Sequence, residues 1–245
     1  MDKKIVQNDP LLTLKNYNGF YQCYVKHGKF VGPLVAYAGT YINDVGKEKN
    51  FVGNTYFNIA MVETSEDTRN YYSDLMMWDM INKGVDYPDK VIGMPMGGIK
   101  FSQSFGDMIN VPSIFAEKKI LELADPEKGI KEKSEIIIAR HEILPKEKIF
   151  IIEDLCNNFS TTTKAVEKIE AFGAKVIGIA CVVNRSEITE WNGIPVISAI
   201  FKPSPQYKQE DQEVVDLIWE GKVIWKAKHF WQELKRLEQA EKNQS

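Results

Sequence analysis

Ile149-Phe150-Ile151-Ile152-Glu153-Asp154-Leu155-Cys156-Asn157-Asn158-Phe159-Ser160-Thr161-Thr162-Thr163 is the stretch whose reading decides the fold. Four apolar residues run straight into two adjacent carboxylates, and a polar loop follows. An apolar run without alternation is the pattern of a strand buried on both faces of a parallel sheet. The acidic pair then stands at the carboxyl end of that strand, where open α/β sheets bind their ligands. The Ser and Thr residues after the loop open a helix, whose first amides and positive dipole end attract anions. Carboxylates beside such a cradle suit a ligand that carries hydroxyls and a phosphate, such as a phosphorylated ribose. A generic strand–loop–helix turn with a Ser/Thr cap would show much the same pattern.

Outward from this stretch, strands and helices alternate. Residues 91–94, 113–116, 149–152, 175–183 and 195–201 read as core strands. A helix carrying Ile99, Phe105 and Ile109 follows the first of them. Ala165, Val166, Ile169 and Phe172 form a helix face closed by Gly173. Upstream, Ser65 reads as an N-cap and Gly84 as a stop, with Tyr71, Leu75, Trp78 and Ile81 on one face between them. The alternation predicts an α/β fold, a parallel sheet flanked by helices. Residues 1–64, rich in Tyr, Phe, Val and Gly, read as short strands with turns at 15–19, at Gly32-Pro33 and at Asn43-Asp44. Residues 121–135 are highly charged, contain Pro126 and Gly129, and read as a mobile surface loop. Residues 209–245 read as two helices packed through Trp219, Trp225, Phe230 and Trp231, with a solvated end from Lys235 onward. Three segments result: 1–64 as an N-terminal β-rich segment, 65–202 as the core, and 203–245 as a C-terminal helical extension.

Composition limits the function. The 245 residues carry a formal charge of −3, which argues against a nucleic-acid partner and makes any phosphate site a matter of local geometry. Cys23, Cys156 and Cys181 are far apart in sequence, without a CxxC pair, so neither a disulfide framework nor a zinc site is indicated. The N-terminal residues lack the apolar core of a signal peptide, and no apolar run approaches a membrane span. A cytoplasmic protein with no membrane partner is the expectation.

The acidic stretch resembles the phosphoribosyl pyrophosphate (PRPP) motif of the type I phosphoribosyltransferases: four apolar residues, two acids, two variable residues, then Thr-Thr-Gly-Gly-Ser/Thr. Glu153, Asp154 and the hydroxyl cluster match. Asn157 and Asn158 stand where the threonines usually are, and Phe159 and Ser160 where the glycines are. Gly93-Met94-Pro95-Met96-Gly97-Gly98-Ile99 resembles the pyrophosphate loop of the orotate branch, with Gly93, Gly98 and Ile99 in register and Met94 and Pro95 replacing Pro and Ala. Three glycines at such a turn let backbone amides approach an anion. Lys118 matches the basic cluster that precedes the family's flexible loop, and Arg140 lies on that loop's far side. Arg185 matches the Arg of an Asp-Arg pair, with Asn184 in place of the Asp. In the N-terminal segment, where the family has a hood, residues 53–58 resemble the end of an orotate-branch motif, but Phe51 occupies the place of its basic residue, and neither Lys47 nor Lys49 is in register. His141 reads as a surface residue. The resemblance spans roughly residues 50–202.

That resemblance implies a type I phosphoribosyltransferase-like fold and transfer of ribose 5-phosphate from PRPP to a nucleobase. The closest case is orotate, giving orotidine 5′-monophosphate and pyrophosphate. It also implies the residue roles. Glu153 and Asp154 would hold the ribose hydroxyls, directly or through hydrated Mg²⁺, with Asp154 part of the catalytic set. Asn157, Asn158, Phe159, Ser160, Thr161 and Thr162 would cradle the 5-phosphate. Met96, Gly97 and Gly98 would hold pyrophosphate. Lys118 and Arg140 would neutralise the leaving group, and Arg185 would position the base. PRPP, pyrophosphate and a nucleobase or nucleoside monophosphate are the implied partners, and a homodimer the implied assembly. A transferase for another base, or a PRPP- or nucleotide-sensing protein without turnover, are the alternatives.

Overall fold

The computed structural model describes residues 4–123 and 133–243. Two compact units emerge. One is built from Leu11–Asn58 with the C-terminal stretch beginning at Ser204, the other from Ile5–Pro10 with Ile59–Pro203.

The first unit opens with α1 (Pro10–Asn16). The sequence reading gave strands and turns here and missed this helix, in which Pro10 takes the first position, where its missing N–H costs nothing. Short strands follow: β1 (Phe20–Gln22), β2 (Tyr24–Lys26), β3 (Lys29–Gly32), β4 (Leu34–Ile42), β5 (Glu48–Gly53) and β6 (Thr55–Phe57). They pair antiparallel as β1 with β6, β2 with β3, and β4 with β5.

The second unit begins with α2 (Ala60–Glu63) and α3 (Glu66–Asn82). Ser65 stands at the N-cap in an extended conformation, but its side chain makes no capping bond. The buried residues of α3 are Thr68, Tyr71, Tyr72, Ser73, Met76 and Met80, so Tyr71 of the expected face is buried and Leu75 half-buried, whereas Trp78 and Ile81 are exposed. The expected face was therefore rotated. Next come β7 (Lys90–Gly93), α4 (Gly98–Ile109), β8 (Ser113–Phe115), β9 (Glu117–Glu122), β10 (Lys133–Ile137), β11 (Lys148–Cys156), α5 (Ser160–Ala171), β12 (Lys175–Asn184), β13 (Glu190–Trp191) and β14 (Ile194–Phe201). Among the described residues the central sheet has the order β13-β14-β12-β11-β7-β8, parallel except for the edge strand β13. Helices α3 and α4 cover one face and α5 the other. Phe150 of β11 stacks on Phe105 of α4, ring centroids 5.6 Å apart. Ile149 and Ile151 join Ala165, Val166 and Ile169 in the cluster under α5. Burying each Ile, Val or Phe side chain among these stabilises the layer by about 1.5–3 kcal/mol. Phe172, expected on that helix face, is instead exposed just past the helix end, before Gly173 turns the chain with φ 78°.

The sheet and its covering helices bear out the α/β architecture. The charged stretch does not read as it was expected to. Residues 121–122 and 133–135 belong to the antiparallel pair β9–β10, in which Lys118 faces Ile136 and Lys119 faces Glu135. Ile120, Ile136 and Ile137 supply the β propensity that the surrounding charges hid from view. Residues 124–132 lie outside the described residues.

The chain then returns to the first unit with α6 (Val215–Trp219), β15 (Val223–Ile224) and α7 (Trp231–Asn243). β15 pairs parallel with β4, and Trp231 and Leu234 join Tyr21, Leu34 and Val35 in one apolar cluster. Of the four aromatics expected to pack, only Trp231 is buried; Trp219 is 85% exposed, and Trp225 and Phe230 are half-exposed. α6 has five residues and seats Leu217, so Trp219, two positions on, points away. The solvated end also begins later than expected. Lys235 donates to the Phe20 carbonyl oxygen at 2.9 Å and pairs with the buried Glu238. Among the described residues no helix is long and apolar enough to cross a membrane.

Candidate functional site

β11 carries the acidic pair past the end of its neighbour. β7 stops at Gly93, opposite Ile152, whereas β12 stays in register with β11 as far as Cys156 opposite Asn184. Glu153 and Asp154 thus lie inside the strand rather than beyond it, where one flank is open to the loop leaving β7. That loop crosses closely: Met94 N–H donates to the Ile152 carbonyl oxygen at 2.9 Å. The peptide between Pro95 and Met96 is cis, and Met96 is exposed.

The glycines are explained by this crossing. A Cβ on Gly97 would lie 2.7 Å from the Asp154 Cβ, and one on Gly98 would lie 3.0 Å from the Ile152 carbonyl carbon. A Cβ on Gly93 would lie 2.7 Å from the Ile99 Cα. Side chains do not fit at such distances, so glycine is what allows the backbone to lie against the acid-bearing strand. Gly97 is also the N-cap of α4, which puts the Asp154 carboxylate beside the positive end of that helix.

The two acids are not equivalent. Side chains alternate along a strand, so Asp154 shares the α4 side with Phe150 and Ile152, and Glu153 shares the α5 side with Ile151. Glu153 is buried. Burial, then the neighbouring Asp154 charge, push its carboxyl up to about 8, so it is mostly protonated at neutral pH. Asp154 is half-buried. The Cys156 thiol, hydrogen-bonded with the Cys181 thiol and buried, is pushed up as well. It is a core side chain and no nucleophile.

The loop after the acids keeps a glycine-like conformation without glycine. Phe159 has φ 57° and ψ 15°, the left-handed region, and serves as the N-cap residue of α5. Its ring is buried in the cluster under α5 and stacks on Trp191 with centroids 6.1 Å apart. The ring therefore leaves the loop's outer surface to Asn158, Ser160 and Thr161, which are exposed. Asn158 Oδ1 accepts from the Ser160 amide at 3.2 Å, Thr163 Oγ1 donates to the Phe159 carbonyl oxygen at 2.8 Å, and Thr162 is buried. Asn157 lies between these and the strand, half-buried.

The remaining residues divide. Lys118, on β9, lines a cavity of 240 Å³ together with Pro95 of the glycine loop and Thr161 of the first turn of α5. Arg140 does not line it. Its Nε is 3.1 Å from Glu117 Oε1, and its side chain is 69% exposed. Asn184 is fully buried and organises the turn that carries Arg185. Its Nδ2 donates to the Ile188 carbonyl oxygen at 2.8 Å, and its Oδ1 accepts from the Ser186 amide and hydroxyl at 3.0 and 2.6 Å. An aspartate could not make the first of these bonds. The Arg185 amide donates to the Cys156 carbonyl oxygen at 3.0 Å, and its side chain is buried at the carboxyl end of β12. His141 is half-buried, edge-on to Phe115 at 4.7 Å. On β5, Lys49 is held by Glu210 at 2.6 Å. One residue that the sequence reading passed over lines the same cavity as Lys118: Lys164, in the second turn of α5. Its signal was a lone cation just behind a Ser/Thr cap, the end of a helix that ordinarily repels cations.

No protein-family model matches the chain. It is 30% identical over 134 residues to the orotate phosphoribosyltransferase of Chlorobium phaeobacteroides, covering 54% of this chain and 61% of that protein. It is 29% identical over 121 residues to that of Heliobacterium modesticaldum, covering 49% and 57%. The chain thus spans about three fifths of the length of these relatives. Among solved structures, the orotate phosphoribosyltransferase of Aeropyrum pernix superposes with a TM-score of 0.52 at 14% identity, over 78% of this chain and 92% of that one. The fold is that of the type I phosphoribosyltransferases, and the relatives that the chain resembles in sequence are orotate phosphoribosyltransferases.

Proposed function

We propose that the chain is a phosphoribosyltransferase that moves ribose 5-phosphate from PRPP to a pyrimidine base, orotate first among them, releasing pyrophosphate. The observation that carries the reading is the contact of Asp154 with the Gly97 backbone, next to the loop that opens α5. One carboxylate, one bare stretch of amides and one hydroxyl-rich loop converge at the carboxyl end of a parallel sheet. PRPP has one feature for each: ribose hydroxyls, a diphosphate and a 5-phosphate.

In this reading Asp154 accepts hydrogen bonds from the ribose hydroxyls and fixes the sugar. The amides around Met96, Gly97 and Gly98 hold the diphosphate. Asn157, Asn158, Ser160 and Thr161 hold the 5-phosphate, with Phe159 and Thr162 shaping the loop from the core side. Glu153, mostly neutral and buried, supports Asp154 rather than binding charge itself. Bond cleavage at the anomeric carbon builds negative charge on the leaving diphosphate, and Lys118 stabilises that charge as it grows. Arg140 would join it only by leaving Glu117. Arg185 orients the base, since a guanidinium fork matches a carboxylate or carbonyl edge.

Mg²⁺ fits this arrangement. Among the described residues no group of three or more His, Cys, Asp or Glu could hold an ion without help. A Mg²⁺ ion bound through one carboxylate, substrate phosphates and water is the usual mode for such substrates. Asp154 would hold it, directly or through water, and the ion would neutralise diphosphate charge. The same reading carries a cytoplasmic homodimer.

The test is to incubate the protein with Mg²⁺, PRPP and a panel of nucleobases and to follow pyrophosphate release. Release with orotate is expected. Release only with another base would move the acceptor, and PRPP binding without release for any base would replace the enzyme by a sensor.

A further inference from the structure

We propose that Lys164 is a second phosphate ligand of this site, acting beside Lys118 on the diphosphate of PRPP; this rests on the reading above. The two lysines reach the 240 Å³ cavity from different elements, Lys118 from β9 and Lys164 from α5. Thr161 adds a hydroxyl to the lining, and Pro95 brings the wall formed by the glycine loop. The glycine loop and the phosphate loop thus share one small basic cavity, which suits a doubly charged group rather than a base or a sugar.

The charges around the cavity support an anion. Glu135 also lines it, but its Oε1 lies 3.8 Å from Lys119 Nζ, which offsets its charge. Lys164 Nζ donates to the Ser134 carbonyl oxygen at 3.3 Å, and among the described residues no carboxylate pairs with it. A carbonyl oxygen at that distance is a weak partner, and an ammonium exchanges it for a phosphate oxygen with a gain in Coulomb energy. The same bond ties α5 to β10, so Lys164 links the helix that carries the phosphate loop to the hairpin that carries Lys118. Chain-wide charge does not explain the placement, because the protein is net acidic.

The experiment is calorimetric titration of PRPP and of inorganic pyrophosphate, each with Mg²⁺, into the parent chain, Lys164→Ala and Lys164→Arg, at two salt concentrations. Lys164→Ala is expected to weaken both ligands about tenfold and to lower the salt dependence, while Lys164→Arg stays within about threefold of the parent. If Lys164→Ala binds as the parent does, or if Lys164→Arg fails as badly as Lys164→Ala with unchanged salt dependence, Lys164 is only a tie between helix and hairpin. A parent chain that binds neither PRPP nor pyrophosphate would instead overturn the phosphoribosyltransferase reading, and this inference with it.

Discussion

At the scale of single residues, the acidic pair is where neighbours in sequence part company in chemistry. Asp154 is half-buried against Gly97, while Glu153 is buried on the other face of the same strand. The carboxyl of Glu153 is raised from 4.5 to about 8, mainly by burial. An acid shifted this way keeps a proton in the folded chain that the unfolded chain has already released. Its contribution to stability is therefore intact below about pH 4.5 and is lost as pH rises toward 8, beyond which the loss is constant. Glu153→Gln keeps the shape and removes the titration. We expect its melting temperature to vary less with pH than the parent's between pH 5 and 8.5. The variant should be the more stable of the two at the upper end, by roughly 1–4 kcal/mol. Melting curves that run parallel across that range would show that Glu153 is not held neutral. None of this was legible in the sequence, where two adjacent acids at a strand end look alike. Only the alternation of faces and the position at which β7 stops separate them.

At the scale of elements, the apolar strands were readable because burial on both faces leaves an unbroken hydrophobic run. Residues 149–152, 175–183 and 195–201 all lie in parallel strands of the central sheet. What failed were elements whose signal is mixed. The face of α3 was misplaced because apolar and aromatic residues surround that helix, and the β9–β10 pair was hidden under charges. The loop before α5 was readable as a polar turn that opens a helix, but its departure from glycine was not interpretable until the backbone was seen. Phe159 holds a left-handed conformation that costs a side-chain-bearing residue about 1–2 kcal/mol. Its buried ring, stacked on Trp191, more than offsets that cost. Phe159→Gly should relieve the strain yet lose the packing, for a net loss of about 2–3 kcal/mol in a denaturant titration. Because the ring faces the core, PRPP affinity should stay within about threefold. A large loss of affinity with little loss of stability would put the ring in the site instead.

At the scale of the whole molecule, the chain is net acidic, so the polyanion site proposed for it rests on local geometry at one end of one sheet. In that proposal backbone amides at a glycine loop, a helix opening and two lysines would hold the anion without a basic surface. The N- and C-terminal segments form a unit of their own, where β15 pairs with β4 and Trp231 fills the core. Sequence alone showed the strands of the first and the helices of the second, but not that they share a sheet. PRPP occupancy of the junction of Asp154 and Gly97 is tested most directly by calorimetric titration of PRPP with Mg²⁺ into the parent chain and into Asp154→Asn. We predict saturable binding by the parent, and affinity at least about tenfold weaker in the variant at an unchanged melting temperature. Equal affinity in both proteins, or no binding by the parent, would contradict it.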